Sequence, residues 1–185
     1  ALLHHDKTAP LPFETMAGVV TATFEKDGNV TVNLTNPHSM QLFVLNADPT
    51  VGADVHFLNT GVPHAVAFLD KLEDLNISRL GAYLRYHEAF SPKGTNANFA
   101  RILSPGHIAI RTYERGVEDE TLACGTGMTA CALLHAVLAD APSPIQVDVA
   151  GGDTLKVGFQ RTGDRFTDVT LTGPADLVFT GDIQI

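Results

Sequence analysis

The residue types with the clearest chemical potential stand near the middle of the chain, where an acid and an arginine shortly precede a cysteine. Glu114 and Arg115 end a segment of β character, and Cys124, Gly125 and Thr126 come directly before an apolar run typical of a helix. A helix start offers unpaired backbone N–H groups and the positive end of its dipole, so it binds a carboxylate and stabilises a thiolate. This position predicts that Cys124 is more acidic than a free cysteine and can act as a base or a nucleophile.

The second cysteine, Cys131, lies on the same predicted helix as Cys124. The two are about 10 Å apart along the helix axis, which is too far for a disulfide. Both are therefore expected to be free thiols, as in a reducing compartment, and Cys131 is expected to be a core residue. Neither the cysteines nor the eight histidines show a paired metal-ligand spacing, so no metal site is predicted.

Composition and charge indicate a compact soluble domain. The 185-residue chain is 44% hydrophobic, so it can bury a core in one or two domains. Its net charge is −9, with 12 lysines and arginines and no basic run, which disfavours nucleic acid and anionic membranes as partners. No apolar stretch approaches the roughly 20 residues of a membrane span. No signal peptide can be read, which favours a cytoplasmic location.

The first part of the chain reads as strands and turns. Residues 1–5, which contain no initiator methionine, resemble the tail of a helix. Residues 19–24 and 30–34 are rich in β-branched side chains, and residues 26–29 between them are typical of a hairpin turn. Residues 36–38 interrupt this pattern and predict a domain boundary.

The remainder of the chain is predicted to combine two helices with further strands. Leucines at helical spacing predict a helix over residues 70–86. Residues 128–138 are almost wholly apolar, which indicates a buried central helix wrapped by strands, with its N-terminus aimed at an interior cleft. Strands are predicted at residues 42–45, 54–58, 101–103 and 107–114, and a series of strands and turns at 145–185.

Four segments, together with the closing residues, resemble the diaminopimelate epimerase family. Residues 123–130 resemble its second catalytic-cysteine motif, and residues 111–116 resemble the strand that ends in Glu-Arg-Gly. Residues 60–64 resemble its Gly-Asn-Pro-His segment, and residues 94–99 resemble its Thr-Asn-Val-Asn-Phe segment. Parts of residues 172–181 resemble the family's last strands, so the resemblance extends over nearly the whole chain.

The resemblance implies an α+β fold of the diaminopimelate-epimerase type, in which pseudo-symmetric domains each wrap strands around a central helix. The active site would lie in the cleft between the domains. On this interpretation residues 1–38 are a remnant of the N-terminal domain, and residues 39–173 form the C-terminal domain with the catalytic cysteine helix. Residues 174–185 would be a closing strand that returns to the N-terminal domain.

The resemblance also implies an activity, the epimerisation of the small molecule LL-2,6-diaminopimelate to meso-diaminopimelate, a precursor of lysine and peptidoglycan. The family's reaction uses two cysteines as acid and base on opposite faces of the α-carbon, with no metal, pyridoxal phosphate (PLP) or other cofactor. The implied catalytic residues are Cys124, Glu114 and His64, and the implied substrate-binding residues are Asn96, Glu114, Arg115, Gly125 and Thr126.

The implied roles follow the charges of an amino-acid substrate. The N–H groups of Gly125 and Thr126 would bind the carboxylate on which negative charge accumulates as the α-proton leaves. Arg115 would pair with a substrate carboxylate through a bidentate fork. Glu114 and His64 would hold the substrate ammonium or tune the protonation of the thiol. An asparagine, Asn96, would recognise the distal end or the backbone of the substrate, while Asn98 has a structural role.

Two departures from the family pattern affect this interpretation. Val62 stands where the family has a substrate-binding asparagine, so that contact is missing or comes from elsewhere, for instance from Asn59. The family's other cysteine, in a Cys-Gly-Asn-Gly motif, has no counterpart in this sequence, and Cys131 is too far from Cys124 to reach the opposite face of one carbon. The chain is therefore interpreted as a family member without its first half, which requires a homodimer or a complementing N-terminal half.

Two other functions stay open at this point. One is a related cofactor-independent racemase or isomerase of the same fold, and the other is an inactive fragment that needs its N-terminal half. The individual residues have structural interpretations as well. Cys124 could be a small buried hydrophobe, and His64 and Asn96 could be turn residues. Glu114 could form a solvated ion pair with Arg115, and the threonine that follows Gly125 could be a helix cap.

Overall fold

The fold is a mixed α+β architecture in which one twisted sheet surrounds a buried helix. The computed structural model describes residues 9–15, 18–176 and 178–182, so the predicted helix tail at residues 1–5 lies outside the described residues. The described elements are β1 (Leu11–Thr15), β2 (Gly18–Phe24), β3 (Val30–Asn33), β4 (His38–Asp48), β5 (Ala53–Asn59), β6 (Pro63–Phe68), α1 (Ile77–Arg85), a 3-10 turn (Glu88–Phe90), β7 (Asn96–Ser104), β8 (His107–Glu114), β9 (Asp119–Thr121), α2 (Gly125–Ala139), β10 (Ile145–Asp148), β11 (Thr154–Thr162) and β12 (Arg165–Gly173).

The strands form a continuous sheet in the order β1-β2-β3-β12-β11-β10-β8-β7-β6-β5-β4, with β9 paired to β8 outside this path. Strands β6 and β7 pair in parallel, as do β8 and β10. The other pairs are antiparallel. This mixture of helices and a mostly antiparallel sheet confirms the predicted α+β class.

Helix α2 is the centre of the larger hydrophobic core. Its residues from Gly127 to Ala136 are buried, because the helix is apolar on all sides and therefore has no face suited to solvent. The strands that contact it are β5, β6, β7, β8, β10, β11 and β12. The prediction of a central helix wrapped by strands is confirmed. The N-terminus of this helix lies at Cys124, Gly125 and Thr126, for which the sequence predicts a chemical role.

Helix α1 covers a second core cluster but begins later than its leucine spacing predicts. Asn76 caps it, with its side-chain oxygen accepting from the backbone N–H of Arg79 at 3.0 Å. Immediately before the cap, the carbonyls of Leu72 and Leu75 accept from Nη1 of Arg111 at 2.7 and 3.3 Å. These contacts hold the segment as turns, so the prediction of helix from residue 70 is wrong for its first part.

The β2–β3 hairpin agrees with the prediction from its β-branched residues. The backbone N–H of Glu25 bonds to the carbonyl of Asn29 at 2.8 Å, and Gly28 adopts a φ of 90°, which glycine accepts without steric cost. The predicted strands at 42–45 and 54–58 lie within the longer β4 and β5.

The sequence did not predict every strand. Asn96 and Asn98 lie on β7 and not in a loop, because their amide groups bond to neighbouring strands instead of closing a local turn. Strands β6 and β9 were not predicted either. The predicted closing strand is absent from residues 174–176 and 178–182, where Pro174 has no N–H for a ladder and the side chains of Val178 and Phe179 are largely exposed.

The division into domains at residue 38 stays a prediction. In the described residues, β3 pairs with β12 in the same sheet as the strands around α2, so the strands before and after this position are hydrogen-bonded into one layer. Neither helix in the described part of the chain combines the length and apolar character that a membrane span requires.

Candidate active site at the N-terminus of α2

Cys124 occupies the cap position at the start of α2. Its backbone is extended, with φ −134° and ψ 105°, and its carbonyl accepts the first helical hydrogen bond from the N–H of Met128 at 2.8 Å. Cys124 is 8% exposed, and its sulfur lies 3.6 Å from the hydroxyl oxygen of Thr126. The cysteine therefore stands at the mouth of the helix, as the sequence predicts.

The thiol is less acidic than its position at the helix start predicts. Burial raises the pKa of Cys124, and the negative charge of Glu114 acts in the same direction. The hydroxyl of Thr126 and the backbone N–H groups of Thr126 and Gly127 lower the pKa, but they do not outweigh burial. In the protein without substrate the pKa of Cys124 is thus raised by burial, contrary to the prediction of an unusually acidic cysteine.

Replacement of Glu114 by glutamine is expected to lower the pKa of Cys124, because removal of the nearby negative charge favours the thiolate. The pH dependence of Cys124 alkylation by iodoacetamide, followed by mass spectrometry of the peptide, measures this shift. Asp119→Asn removes a charge from the same hairpin and serves as the control. An unchanged or higher midpoint in the Glu114→Gln protein would show that the carboxylate does not act on the thiol.

His64 is fully buried on β6 and belongs to a hydrogen-bonded network inside the sheet. Its Nδ1 lies 3.1 Å from Nδ2 of Asn98, which also donates to the carbonyl of Ala65 at 3.0 Å. The hydroxyl of Thr112 donates to Oδ1 of Asn98 at 3.0 Å, which fixes the orientation of the amide. Because Nδ2 donates to it, Nδ1 of His64 is an acceptor, and the proton of the neutral ring is on Nε2.

The environment of His64 keeps its imidazole neutral. Burial, aided by the positive charge of Arg115, lowers the pKa of His64 to about 3. Its Nε2 is buried and has no hydrogen-bond partner among the described residues. A neutral Nε2–H is a donor, so it suits a hydrogen-bond acceptor and does not suit a substrate ammonium.

Gly127 allows the first turn of α2 to approach this network. A side chain at Gly127 would overlap with Oδ1 of Asn98, so only glycine permits the contact. The second glycine of the Cys-Gly-Thr-Gly segment thus brings the helix start against β7. This contact connects the network of His64 to the turn that carries Cys124.

Asn96 holds the backbone of Arg115 in place. Its Oδ1 accepts from the N–H of Arg115 at 2.8 Å, and its Nδ2 donates to the carbonyl of Pro63 at 3.0 Å. The side chain of Arg115 donates from Nη1 to the carbonyl of Lys93 at 3.2 Å. The buried Asn96 therefore joins β6, β7 and the end of β8, while its predicted contact with substrate stays a prediction.

Thr60 was not assigned a role from the sequence, yet it contacts the start of α2. Its hydroxyl donates to the carbonyl of Thr126 at 2.9 Å, and the residue is buried. The partners are 66 positions apart, so no local pattern could reveal the bond. Asn59, the predicted substitute for the missing asparagine, uses its Oδ1 to accept from the N–H of Gly61 at 2.9 Å.

A cavity of about 410 Å³ lies beside Arg115. Phe57 and Phe90 stack within its wall with ring centroids 6.0 Å apart, and Lys93 adds a second positive charge. Cys124 is not among the residues that line it, so this cavity alone is not the place where a proton would be transferred. The described residues contain no cluster of three histidine, cysteine or acidic side chains able to hold a metal ion.

The structure thus brings the predicted residues into two adjoining groups. Cys124 and Thr126 are in contact, and Glu114 acts on the thiol through its charge. Asn96 bonds to the backbone of Arg115, which in turn acts on His64 through its charge. A further predicted residue, Gly125, forms the first position of α2.

Comparison with known proteins decides the family. A family model described as diaminopimelate epimerase matches residues 56–178, which is most of the chain. The chain belongs to the diaminopimelate epimerase family. This match includes all the residues that were assigned a site role, and it confirms the resemblance found in the sequence motifs.

Curated relatives show the same relation. The diaminopimelate epimerase of Aquifex aeolicus (strain VF5) is 43% identical over 174 residues, which cover 93% of this chain and 61% of the relative. The diaminopimelate epimerase of Hydrogenobaculum sp. (strain Y04AAS1) is 42% identical over 172 residues, or 91% of this chain and 60% of the relative. The chain thus spans about three-fifths of the length of these two family members.

Solved structures support the fold. A hydroxyproline epimerase from Agrobacterium vitis matches with a TM-score of 0.68 at 19% identity, covering 94% of this chain and 59% of that protein. A phenazine biosynthesis protein of the PhzF family from Bacillus anthracis matches with a TM-score of 0.64 at 14% identity, covering 90% of this chain and 65% of that protein. At these identities the likeness establishes the shared fold of the diaminopimelate epimerase type and not a shared substrate.

Proposed function

We propose that this chain carries the Cys124 side of a diaminopimelate epimerase, which interconverts LL- and meso-diaminopimelate without a cofactor. The observation that carries the proposal is the position of Cys124, which is the N-cap residue of α2 and whose sulfur lies 3.6 Å from the hydroxyl oxygen of Thr126 in the first turn. The family membership of the chain names the reaction, and the position of the thiol supplies a group able to move the α-proton.

The chemistry requires that negative charge on the substrate be stabilised as the α-proton leaves. The first turn of α2 offers its backbone N–H groups and its dipole to the carboxylate that takes up this charge. We assign the N–H groups of Gly125 and Thr126 to that carboxylate. Arg115, whose backbone is held by Asn96, would bind a substrate carboxylate through its guanidinium.

Burial raises the pKa of Cys124, which favours the protonated thiol, the form that serves the acid half of the reaction. As a thiol it can deliver its proton to the α-carbanion, which leaves a thiolate and a new C–H bond. In the opposite direction the thiolate removes that proton. We propose that Glu114, whose charge acts on the thiol, and the neutral N–H of His64 set the balance between these two forms.

Inversion needs a second acid or base on the opposite face of the α-carbon. Cys131 cannot supply it, because its side chain is fully buried in the core around α2 and burial raises the pKa of its thiol. We propose that the second group comes from a complementing N-terminal half or from a homodimer. We also propose that this reaction, which leads to lysine and peptidoglycan precursors, takes place in the cytoplasm. The two free thiols of the chain fit that reducing compartment.

Incubation of the chain with LL-diaminopimelate in D₂O tests the proposal. Deuterium at the α-carbon and meso product are followed separately, by mass spectrometry and by chiral chromatography. Deuteration without inversion would show one working face, as proposed, and deuteration with inversion would show that a second acid or base is present in the assayed protein. Absence of both, when an N-terminal half of a family member is also added, would contradict the proposed function. The same assay with proline and hydroxyproline in place of diaminopimelate tests the alternative racemase activity.

A further inference from the structure

We propose that Glu118 is a positioning residue of this site, because its carboxylate fixes the turn that carries Glu114 and Arg115. The expected effect on catalysis rests on the proposed function. The way in which Glu118 holds the hairpin between β8 and β9 does not depend on it and can be tested without substrate. Nothing in the sequence motifs assigns Glu118 a role, since only its neighbours resemble the family's Glu-Arg-Gly segment.

Four donors converge on the carboxylate of Glu118. Its Oε1 accepts from Nε of Arg85 and from the backbone N–H of Gly116, both at 3.1 Å. Its Oε2 accepts from the hydroxyls of Tyr86 and Tyr113 at 3.1 and 3.3 Å. These donors come from the end of α1, from β8 and from the hairpin turn itself, so one side chain connects three parts of the fold.

The backbone of the turn needs this support. Gly116 has a φ of 97°, and Glu118 has a φ of 60°, a left-handed conformation that is costly for a residue with a Cβ. The carbonyl of Glu114 accepts from the N–H groups of Val117 and Glu118 at 3.2 and 2.8 Å. The hydrogen bonds to the carboxylate offset the cost of the left-handed residue and keep the turn closed on Glu114.

The same contacts extend to Arg115. Arg85, which donates to Glu118, packs against Gly94 so closely that a side chain at Gly94 would overlap with it. The carbonyl of the preceding Lys93 accepts from the guanidinium of Arg115. Glu118 and Arg85 therefore form a frame that holds both the turn containing Arg115 and the segment to which its side chain is bonded.

Because the frame formed by Glu118 and Arg85 is partly exposed, its loss is expected to change the position of the turn more than the stability of the fold. The side chains of Arg85 and Glu118 are 17% and 34% exposed, and partly exposed ion pairs contribute little to the free energy of unfolding. Loss of the carboxylate is therefore expected to loosen the turn and leave the core intact. A loosened turn would move Glu114 relative to the thiol of Cys124, and small displacements of such groups have large effects on rate.

The test compares Glu118→Ala and Glu118→Gln with the control Asp119→Asn, which alters the same hairpin without touching Gly116 or Arg85. In the alanine variant, α-proton exchange is expected to fall about tenfold or more in kcat/KM. KM is expected to rise as Arg115 loses its position. The glutamine variant keeps one acceptor oxygen and is expected to lose less, and the control is expected to match the wild type.

A substrate-free measurement keeps this inference separate from the proposed function. Glu118→Ala is expected to shift the pH midpoint of Cys124 alkylation in the same direction as Glu114→Gln, with an unfolding transition close to that of the wild type. If the wild type shows no exchange with any substrate, even with an N-terminal half of a family member added, the proposed function fails, and the alkylation result still decides the positioning role. A midpoint equal to that of the wild type in both Glu118 variants would overturn it, as would an exchange defect that Asp119→Asn reproduces in full.

Discussion

Replacement of Cys124 by alanine is expected to abolish hydrogen exchange at the α-carbon of LL-diaminopimelate. A positioned acid or base contributes about 10²- to 10⁴-fold to such a proton transfer, and Cys124 is the thiol at the helix start that can supply it. The loss in rate is therefore expected to be about 10³-fold or more. Binding should change less, because the N–H groups of α2 and the guanidinium of Arg115 do not depend on the sulfur.

Deuterium incorporation in D₂O, followed by mass spectrometry, measures this loss. Cys131→Ala is the matched control, since it removes the other thiol from the same helix at a buried position away from the helix start. It is expected to lower stability by roughly 1–2 kcal/mol and to keep the exchange rate within a fewfold of the wild type. Exchange that survives in the Cys124→Ala protein would show that another group moves the α-proton.

Acid is expected to destabilise the fold through His64. In the unfolded chain its imidazole has a pKa near 6.5, whereas burial lowers the pKa to about 3 in the folded protein. The unfolded state therefore binds a proton at a pH where the folded state does not, and stability is lost as the pH falls from 6.5 toward 3. Between pH 7 and pH 4 this single group is expected to cost about 3 kcal/mol of unfolding free energy.

Urea unfolding at a series of pH values measures the effect, with His64→Gln as the comparison. The glutamine is uncharged and can still accept from Asn98, so the variant is expected to be less stable at pH 7 but to lose less stability on acidification. Carboxylates with lowered pKa, such as those of Asp48 and Asp148, contribute equally to both proteins and cancel in the difference. Parallel curves for the two proteins would show that His64 does not carry this dependence.

The features that the sequence predicted correctly depend on local patterns. The apolar run after Cys124 is long and uninterrupted enough to identify a buried helix, and the turn residues at 26–29 identify a hairpin between two β-branched segments. The motif around Cys124 also places the thiol at the helix cap. In each of these cases the residues that determine the structure are neighbours in the chain.

The features that the sequence did not reveal depend on contacts between distant residues. The bond from Thr60 to the carbonyl of Thr126 and the network that joins His64 to Asn98 each connect separate segments. Helix α1 starts later than predicted because the carbonyls of Leu72 and Leu75, just before it, accept hydrogen bonds from Arg111 on the distant β8. A lowered pKa of Cys124 was predicted from the helix start alone. The shift has the opposite direction because burial raises the pKa, and burial depends on the assembled sheet.

The burial of α2 on all sides also has a consequence for the order in which the protein can fold during synthesis. Strands β5 to β8 precede the helix in the chain, but β10, β11 and β12 follow it, and all of them cover it. A ribosome therefore releases the apolar helix before the last strands that shield it have been made. We expect the nascent chain to expose this segment until Gly173 has emerged, which makes it a natural binding site for chaperones at that stage.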